Sequence, residues 1–143
     1  MRLWHKDLIP VLPEKQLISQ WREVCCIAKL LATKGTPNHI LVNRVLDYSS
    51  VHFVEYCNLV IKEMEKRGHV IKEETYLNLT NNIQKAIDKD TFGIMFCNET
   101  YEYWHNERYL KQCLYNLQEK WDCGGIPGDE WLKIALKFGR YLE

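Results

Sequence analysis

The feature that most constrains this chain is a run of apolar residues at helical spacing between Pro13 and Gly35. Leu17, Trp21, Val24 with Cys25, Ala28, and Leu31 with Ala32 recur every three or four positions, so one side of a 3.6-residue helix is apolar. Pro13 suits the first helical position, because its missing N–H is one that a helix start leaves unbonded. Gly35 supplies the stop. A helix over about 13–34 is therefore expected, and its stripe requires further helices to bury it.

The rest of the chain offers such partners. Thr36-Pro37-Asn38 reads as a second start, with Ile40, Leu41, Val45 and Leu46 on one face of a short helix ending near Tyr48. Ser49 or Ser50 can cap a longer helix bearing Val51, Val54, Cys57 or Asn58, Ile61 and Met64, widened by Phe53 and Val60. Lys66-Arg67-Gly68 is a C-terminal signature, with cations in the last turn and glycine after it. Between 69 and 104 the pattern weakens. Val70 to Leu79 reads as loop or short strand, Asn81 to Asp88 as one or two helical turns, and Phe92 to Phe96 as a strand or a buried loop. Asn106 can cap a helix carrying Tyr109, Leu110, Cys113, Leu114 and Leu117, which Gly124-Gly125-Ile126-Pro127-Gly128 breaks. Asp129 is placed to cap a last helix through Trp131, Leu132, Ala135 and Phe138.

The expected fold is all-α: a compact single-domain bundle of about four to six helices with an irregular central segment, spanning 1–143. A chain of 143 residues, 46% hydrophobic, can bury one core, and only 4 prolines speak against a turn-rich β protein.

Charge and cysteine usage narrow the function. Nineteen basic and 19 acidic side chains cancel, so no global field draws nucleic acid, and DNA binding has to rest on a local patch. Arg2, Lys6, Asp7, Glu14 and Lys15 interrupt the start, which excludes a signal peptide, and no stretch approaches the roughly 20 apolar residues of a membrane span. A cytoplasmic protein with reduced thiols, no membrane partner and no obligate protein partner is expected. Cys25, Cys26, Cys57, Cys97, Cys113 and Cys123 contain no C-x-x-C pair. Drawing Cys97, His105, Cys113 and Cys123 together matches no standard zinc spacing, so the cysteines read as small buried hydrophobes, and neither metal nor cofactor is expected.

Opposite the stripe of the first helix, polar residues gather. Gln16 and Glu23 lie two turns apart on one line, Lys15 and Arg22 form the parallel line, and Ser19 lies between. A solvated helix face explains this pattern by itself. The sequence around it adds more. Met1-Arg2-Leu3, followed by Gln16-Leu17-Ile18-Ser19-Gln20-Trp21-Arg22-Glu23, resembles the N-terminus of the pyrimidine-dimer DNA glycosylase/AP-lyase family (endonuclease V type). That family opens Thr-Arg-Ile after losing its initiator Met and continues into a helix reading His-Leu-Met-Ala-Glu-Tyr-Arg-Glu. His39 opening a helical segment, the helix ending Glu65-Lys66-Arg67-Gly68, and the stretch from His105 extend the likeness to about half the chain. The opening Met1-Arg2-Leu3-Trp4-His5 is more similar still to bacterial relatives of that family.

The resemblance implies a DNA-repair glycosylase with β-lyase activity on damaged or abasic double-stranded DNA. The chain's terminal amine would attack the sugar C1′, the base would leave, and the resulting imine would permit β-elimination. An α-amine has a reference pKa of ~7.7–8.0 against ~10.4 for lysine, so as a class it supplies free nucleophile near neutrality. On this reading Met1 supplies the amine and Glu23 is the acid/base and electrostatic group. Arg2 and Arg22 match phosphate-contacting arginines, and Lys15, Gln16, Ser19, His39, Asn43 and Arg44 complete the expected DNA contacts. The sequence departs from the family in carrying Met1 for the threonine, Cys26 for an arginine, and Tyr115 and Glu119 near basic positions, with Lys111 and Lys120 as partial substitutes. The rival readings are a non-catalytic nucleic-acid-binding domain and a protein-interaction domain on the same scaffold.

Other groups divide likewise. Trp4 and His5 line a pocket or, preferably, anchor the N-terminus in the core. Tyr101, Tyr103, Trp104, Tyr109 and Trp121 either stack on bases or form a core edge or an oligomer contact, the latter preferred. Glu63, Glu65, Glu73 and Glu74 are expected to face away from DNA.

Overall fold

The computed structural model describes residues 1–142. Five α-helices carry the fold among these residues: α1 (Glu14–Lys34), α2 (Ser50–Lys66), α3 (Glu73–Asp88), α4 (Glu107–Asp122) and α5 (Gly128–Phe138). Short 3-10 turns cover Lys6–Val11, Asn43–Asp47 and Gly139–Tyr141. The protein is all-α, and one cluster of buried residues draws on all five helices.

Helix α1 is the central member, packed against α2 and most extensively against α3. Leu17, Val24, Ile27 and Leu31 are fully buried along it. Each such side chain stabilises the fold by about 1.5–3 kcal/mol relative to exposure. Pro13 is the N-cap of α1 with an extended ψ, just outside the first helical position expected for it. Gly35 ends α1 at φ 72, and its N–H donates to the Leu30 carbonyl at 3.1 Å. Only glycine adopts that left-handed backbone without cost.

The expectation for Val70 to Leu79 is corrected: this stretch contains the start of α3, and the turns expected at Asn81 to Asp88 are its second half. Leu79, Ile83 and Ala86, spaced by four and three, bury against α1 while Glu73 and Glu74 face the positive end of the helix dipole. Polar Asn81, Asn82 and Gln84 break up the apolar signal around that narrow stripe. The buried face of α2 keeps Phe53, Cys57, Val60, Ile61 and Met64 of the expected set but is turned away from Val51 and Val54. His52, Phe53, Tyr56, Cys57, Val60, Ile61 and Met64 are buried, whereas Val51, Val54 and Asn58 are exposed. Two polar-tipped rings, His52 and Tyr56, occupy the core in place of the aliphatic residues, because each finds a hydrogen-bond partner there.

The short helix expected before Tyr48 is a 3-10 turn over Asn43–Asp47. Val42 and Val45 are buried, and Ile40 and Leu41 are exposed instead of core-facing. Phe92 to Phe96 is neither strand nor buried loop: Ile94 is 97% exposed, and only an isolated bridge pairs Tyr48 with Met95. Asn106 caps α4 by accepting from the Tyr109 N–H, and Ser49 caps α2 through the Val51 N–H. Pro127, not Asp129, is the cap of α5, and Ile134 and Phe138 are its buried residues while Leu132 is exposed.

Arg67 fastens the first turn to the end of α2. Its guanidinium donates to the carbonyls of Leu12 (2.8 Å), Pro10 (3.3 Å) and Ile9 (3.4 Å), and it pairs with Glu63 and Glu14. Glu14 also bonds His69. Partial burial works against the Glu14 carboxylate, but the hydrogen bonds from His69 and Arg67 hold its pKa below the usual range. No helix among the described residues is long and apolar enough to cross a membrane.

Candidate active site at the chain start

Residues 1–5 belong to no helix, so their backbone polar groups need partners elsewhere. Side chains from three helices provide them. The Arg2 N–H lies 3.4 Å from Glu23 Oε2, and the Arg2 carbonyl accepts from Gln20 Nε2 at 2.9 Å. The Leu3 carbonyl accepts from the Tyr109 hydroxyl. The Trp4 N–H donates to Gln20 Oε1 at 2.8 Å, and its carbonyl accepts from the Tyr56 hydroxyl at 2.6 Å. Beyond them the Lys6 N–H donates to His105 Nδ1 at 2.9 Å. Leu3, Trp4 and His5 are buried, so the start of the chain is an anchored irregular segment against α1, α2 and α4.

Anchoring leaves Met1 partly exposed at the edge of a groove of about 350 Å³ lined by Arg2, Trp4, Gln16, Ser19, Glu23, Leu41, Asn116 and Lys120 as well. Glu23 is half-buried, and Gln20 Nε2 also donates to its Oε2 at 3.4 Å. One carboxylate oxygen is thus held in place by two neutral donors. The Arg2 guanidinium lies 5.4 Å from the Trp4 ring centroid and 5.8 Å from that of Tyr109, and it donates to Cys113 Sγ at 3.6 Å. Cation–π contact of this kind orients a guanidinium without neutralising it. Lys120 Nζ sits 5.9 Å from the Trp4 centroid and donates to Asn116 Oδ1 at 2.6 Å. Two cations therefore stand within about 6 Å of the Trp4 ring centroid, and Glu23 is the carboxylate lining the groove.

The neighbouring groups are poor rivals as nucleophiles. Burial raises the Cys113 thiol despite the nearby Arg2 guanidinium, and burial likewise pushes the Tyr109 hydroxyl up. Both stay protonated near neutrality. Burial lowers His105 well below its ordinary value, and His5, Lys6 and Arg44 add to the effect. His5, stacked on it at 5.2 Å, is lowered by burial as well.

Of the residues singled out in the sequence, Met1, Arg2, Gln16, Ser19 and Glu23 meet in this groove. Lys15 is exposed and lines a different groove, with Pro127 and Glu130. Arg22 is exposed on α1 and is not among the lining residues. His39 and Asn43 bond within their own turn: the His39 N–H donates to Asn43 Oδ1 at 3.0 Å, and the Leu41 N–H to His39 Nδ1 at 3.3 Å. Arg44 lines an adjoining groove. Glu63, Glu65 and Glu73 line grooves elsewhere. Of the aromatic group, Tyr101, Trp104 and Tyr109 are buried, whereas Tyr103 is exposed. Trp121 stacks on Trp131 with ring planes 6° apart. Among the described residues no group of three or more His, Cys, Asp or Glu is placed to hold a metal. All six cysteines are free, and Cys26 and Cys123 are exposed, contrary to their reading as buried hydrophobes.

Trp4 does both things the sequence allowed it, being buried and lining the groove, whereas the sequence reading missed Gln20, Leu41 and Asn116 and took Lys120 only as a partial substitute. Gln20 alone left a signal, being a polar residue inside an apolar stripe. It is fully buried, and every bond it makes goes to the chain start, to Glu23 or to Tyr56.

Fold and site together define a small all-α protein whose own first residues form a polar, cation-flanked groove around a fixed carboxylate. The family model described as pyrimidine dimer DNA glycosylase matches residues 1–77, more than half of the chain, and the protein belongs to that family. Comparison with curated proteins and with solved structures finds no match. The matched span contains α1, α2 and the first residues of α3, whereas Asn116 and Lys120 enter the groove from outside it.

Proposed function

We propose that this protein is a DNA glycosylase with β-lyase activity, acting on damaged or abasic double-stranded DNA through the α-amine of Met1. The observation that carries the reading is the bond between the Arg2 N–H and Glu23 Oε2, because it sets the first peptide beside a fixed carboxylate in an open groove.

The Met1 nitrogen attacks C1′ of the damaged nucleotide, and the glycosidic bond breaks with its electron pair leaving on the base, which takes up a proton. The sugar ring opens to an imine between C1′ and the Met1 nitrogen. Glu23 stabilises the cationic imine and accepts the C2′ proton. The electrons of that C–H bond form the C2′–C3′ double bond as the C3′–O bond breaks, which cuts the strand. Water then hydrolyses the imine and restores the amine. Arg2 and Lys120 hold the flanking phosphates, guanidinium by a planar fork and ammonium as a point charge. A secondary contribution from Gln16 and Ser19 comes from their place on the groove wall.

Borohydride trapping on abasic-site duplex tests the reading. A covalent adduct mapped by peptide mass to Met1, lost on acetylation of the α-amine and weakened by Glu23→Gln, is expected. Salt-sensitive binding with no adduct, from protein whose terminus is unblocked, would transfer the protein to the non-catalytic reading.

A further inference from the structure

Ile40 is 86% exposed, and Leu41 beside it is 43% exposed. Ile40 thus buries almost nothing in the protein itself, and Leu41 beside it is only partly covered. The turn that presents them is nonetheless rigidly made. Asn38 stands at φ 53, the His39 carbonyl accepts from the N–H groups of Asn43 (2.8 Å) and Val42 (3.0 Å), and Asn43 and His39 side chains close it from within. Val42, fully buried, fixes its base to the core.

The tip stands between two grooves, and Leu41 lines both. On one side are Met1, Glu23, Arg2 and Lys120; on the other are Arg44 and Arg108, with no carboxylate lining that second groove. A chain with no net charge thus gathers four cations along one track with an apolar tip in its middle. Cations on both sides of an apolar projection fit the phosphates of a strand whose bases are parted.

We propose that Ile40, backed by Leu41, is a wedge that enters the base stack of duplex DNA beside the lesion, while Arg44 and Arg108 hold the strand running past the reacting nucleotide. This rests on the glycosylase reading above and adds the means by which a duplex is opened. A nucleotide inside a duplex cannot reach a groove of this size without being unstacked. Filling the gap with a preformed aliphatic tip offsets the lost stacking. Four cations against the one carboxylate of Glu23 along these two grooves favour a polyanion such as nucleic acid over a second copy of this chain, which carries no net charge.

The test compares borohydride trapping by full-length wild-type protein, Ile40→Ser and Ile40→Leu on one abasic sequence, presented as duplex and as single strand. A 2-aminopurine next to the abasic site reports unstacking by its fluorescence. For Ile40→Ser the expected result is a loss of about tenfold in duplex trapping, with the fluorescence rise gone. Single-strand trapping is retained, because there is no stack to part, and Ile40→Leu recovers both duplex signals. Equal losses on both substrates, or an unchanged duplex rate, overturn the wedge while leaving the glycosylase reading in place. Wild-type protein that traps neither substrate overturns that reading, and the wedge falls with it. The exposure of Ile40 makes both variants foldable, which thermal melts check.

Discussion

Gln20 grips Trp4 from inside the core: its Oε1 accepts the Trp4 N–H at 2.8 Å, while its Nε2 reaches back to the Arg2 carbonyl at 2.9 Å. A single amide on α1 therefore carries two of the three backbone groups that the chain start turns towards that helix, the third being the Arg2 N–H on Glu23. The same Nε2 touches Glu23 at 3.4 Å, so the anchor and the carboxylate are one unit.

Replacing Gln20 by Leu leaves a buried Trp4 N–H without its partner, which costs about 1–3 kcal/mol. Urea denaturation is expected to show that loss. Abasic-site trapping per folded molecule is expected to fall further, since Arg2 and Glu23 lose a common restraint. Unchanged trapping in protein verified as folded would separate the anchor from the chemistry.

Glu23→Gln keeps the shape and an acceptor oxygen for the Arg2 N–H but removes the charge and the base. Strand cleavage is expected to slow by roughly 10²–10⁴, with stability altered by less than about 0.5 kcal/mol, as for a half-buried residue outside the core. Single-turnover kinetics on abasic duplex measures the first and chemical denaturation the second. A rate within a few fold of wild type would exclude Glu23 as the proton acceptor.

Stability is expected to fall as pH drops from about 7.5 to about 5.5. Burial lowers His5 and His105 in the folded protein, so between the folded value and the unfolded value of about 6.5 the unfolded chain binds more protons. Their neutral forms contribute fully above the unfolded value, and that contribution is lost as pH falls below it. Glu14, held low by His69 and Arg67, adds its own loss further down, as pH falls through the carboxylate range. Urea midpoints across this window check the slope. His105→Asn keeps an acceptor for the Lys6 N–H and is expected to flatten the slope, whatever it does to the midpoint at neutrality.

Gly93→Ala is expected to destabilise by about 1–3 kcal/mol, as overpacking does. A β-carbon at that position would run into the backbone of Leu46 and Asp47, which has no side chain to swing aside. The contact joins the 89–106 segment to the Asn43–Asp47 turn, next to the Tyr48–Met95 bridge. A thermal melt reads the loss, and a melting temperature equal to wild type would refute the close approach.

Much of the fold was legible because its signals are local. The stripe of α1, Gly35, the caps at Ser49 and Asn106, and the break after α4 each depend on a few neighbouring residues. Of α3 only the second half was legible, as helical turns over Asn81 to Asp88; its first half was not, since the buried side of the helix is only Leu79, Ile83 and Ala86 and no side chain caps its start at Lys72. On α2, Phe53, Cys57, Val60, Ile61 and Met64 were legible as core, but His52 and Tyr56 were not, because their acceptability there depends on partners as remote as Cys97 and Trp4. The candidate site divides the same way. Met1, Arg2, Gln16, Ser19 and Glu23 come from two neighbouring stretches of sequence. Leu41, Asn116 and Lys120 reach the groove only by tertiary packing, which no periodicity records.

The partners of residues 2–6 have a consequence for the order of events during synthesis. His105 holds Lys6 from 99 residues away, and Tyr109 holds Leu3 from 106. The opening segment thus cannot be fully seated until α4 has been made, because most of the chain must emerge before its clasps exist.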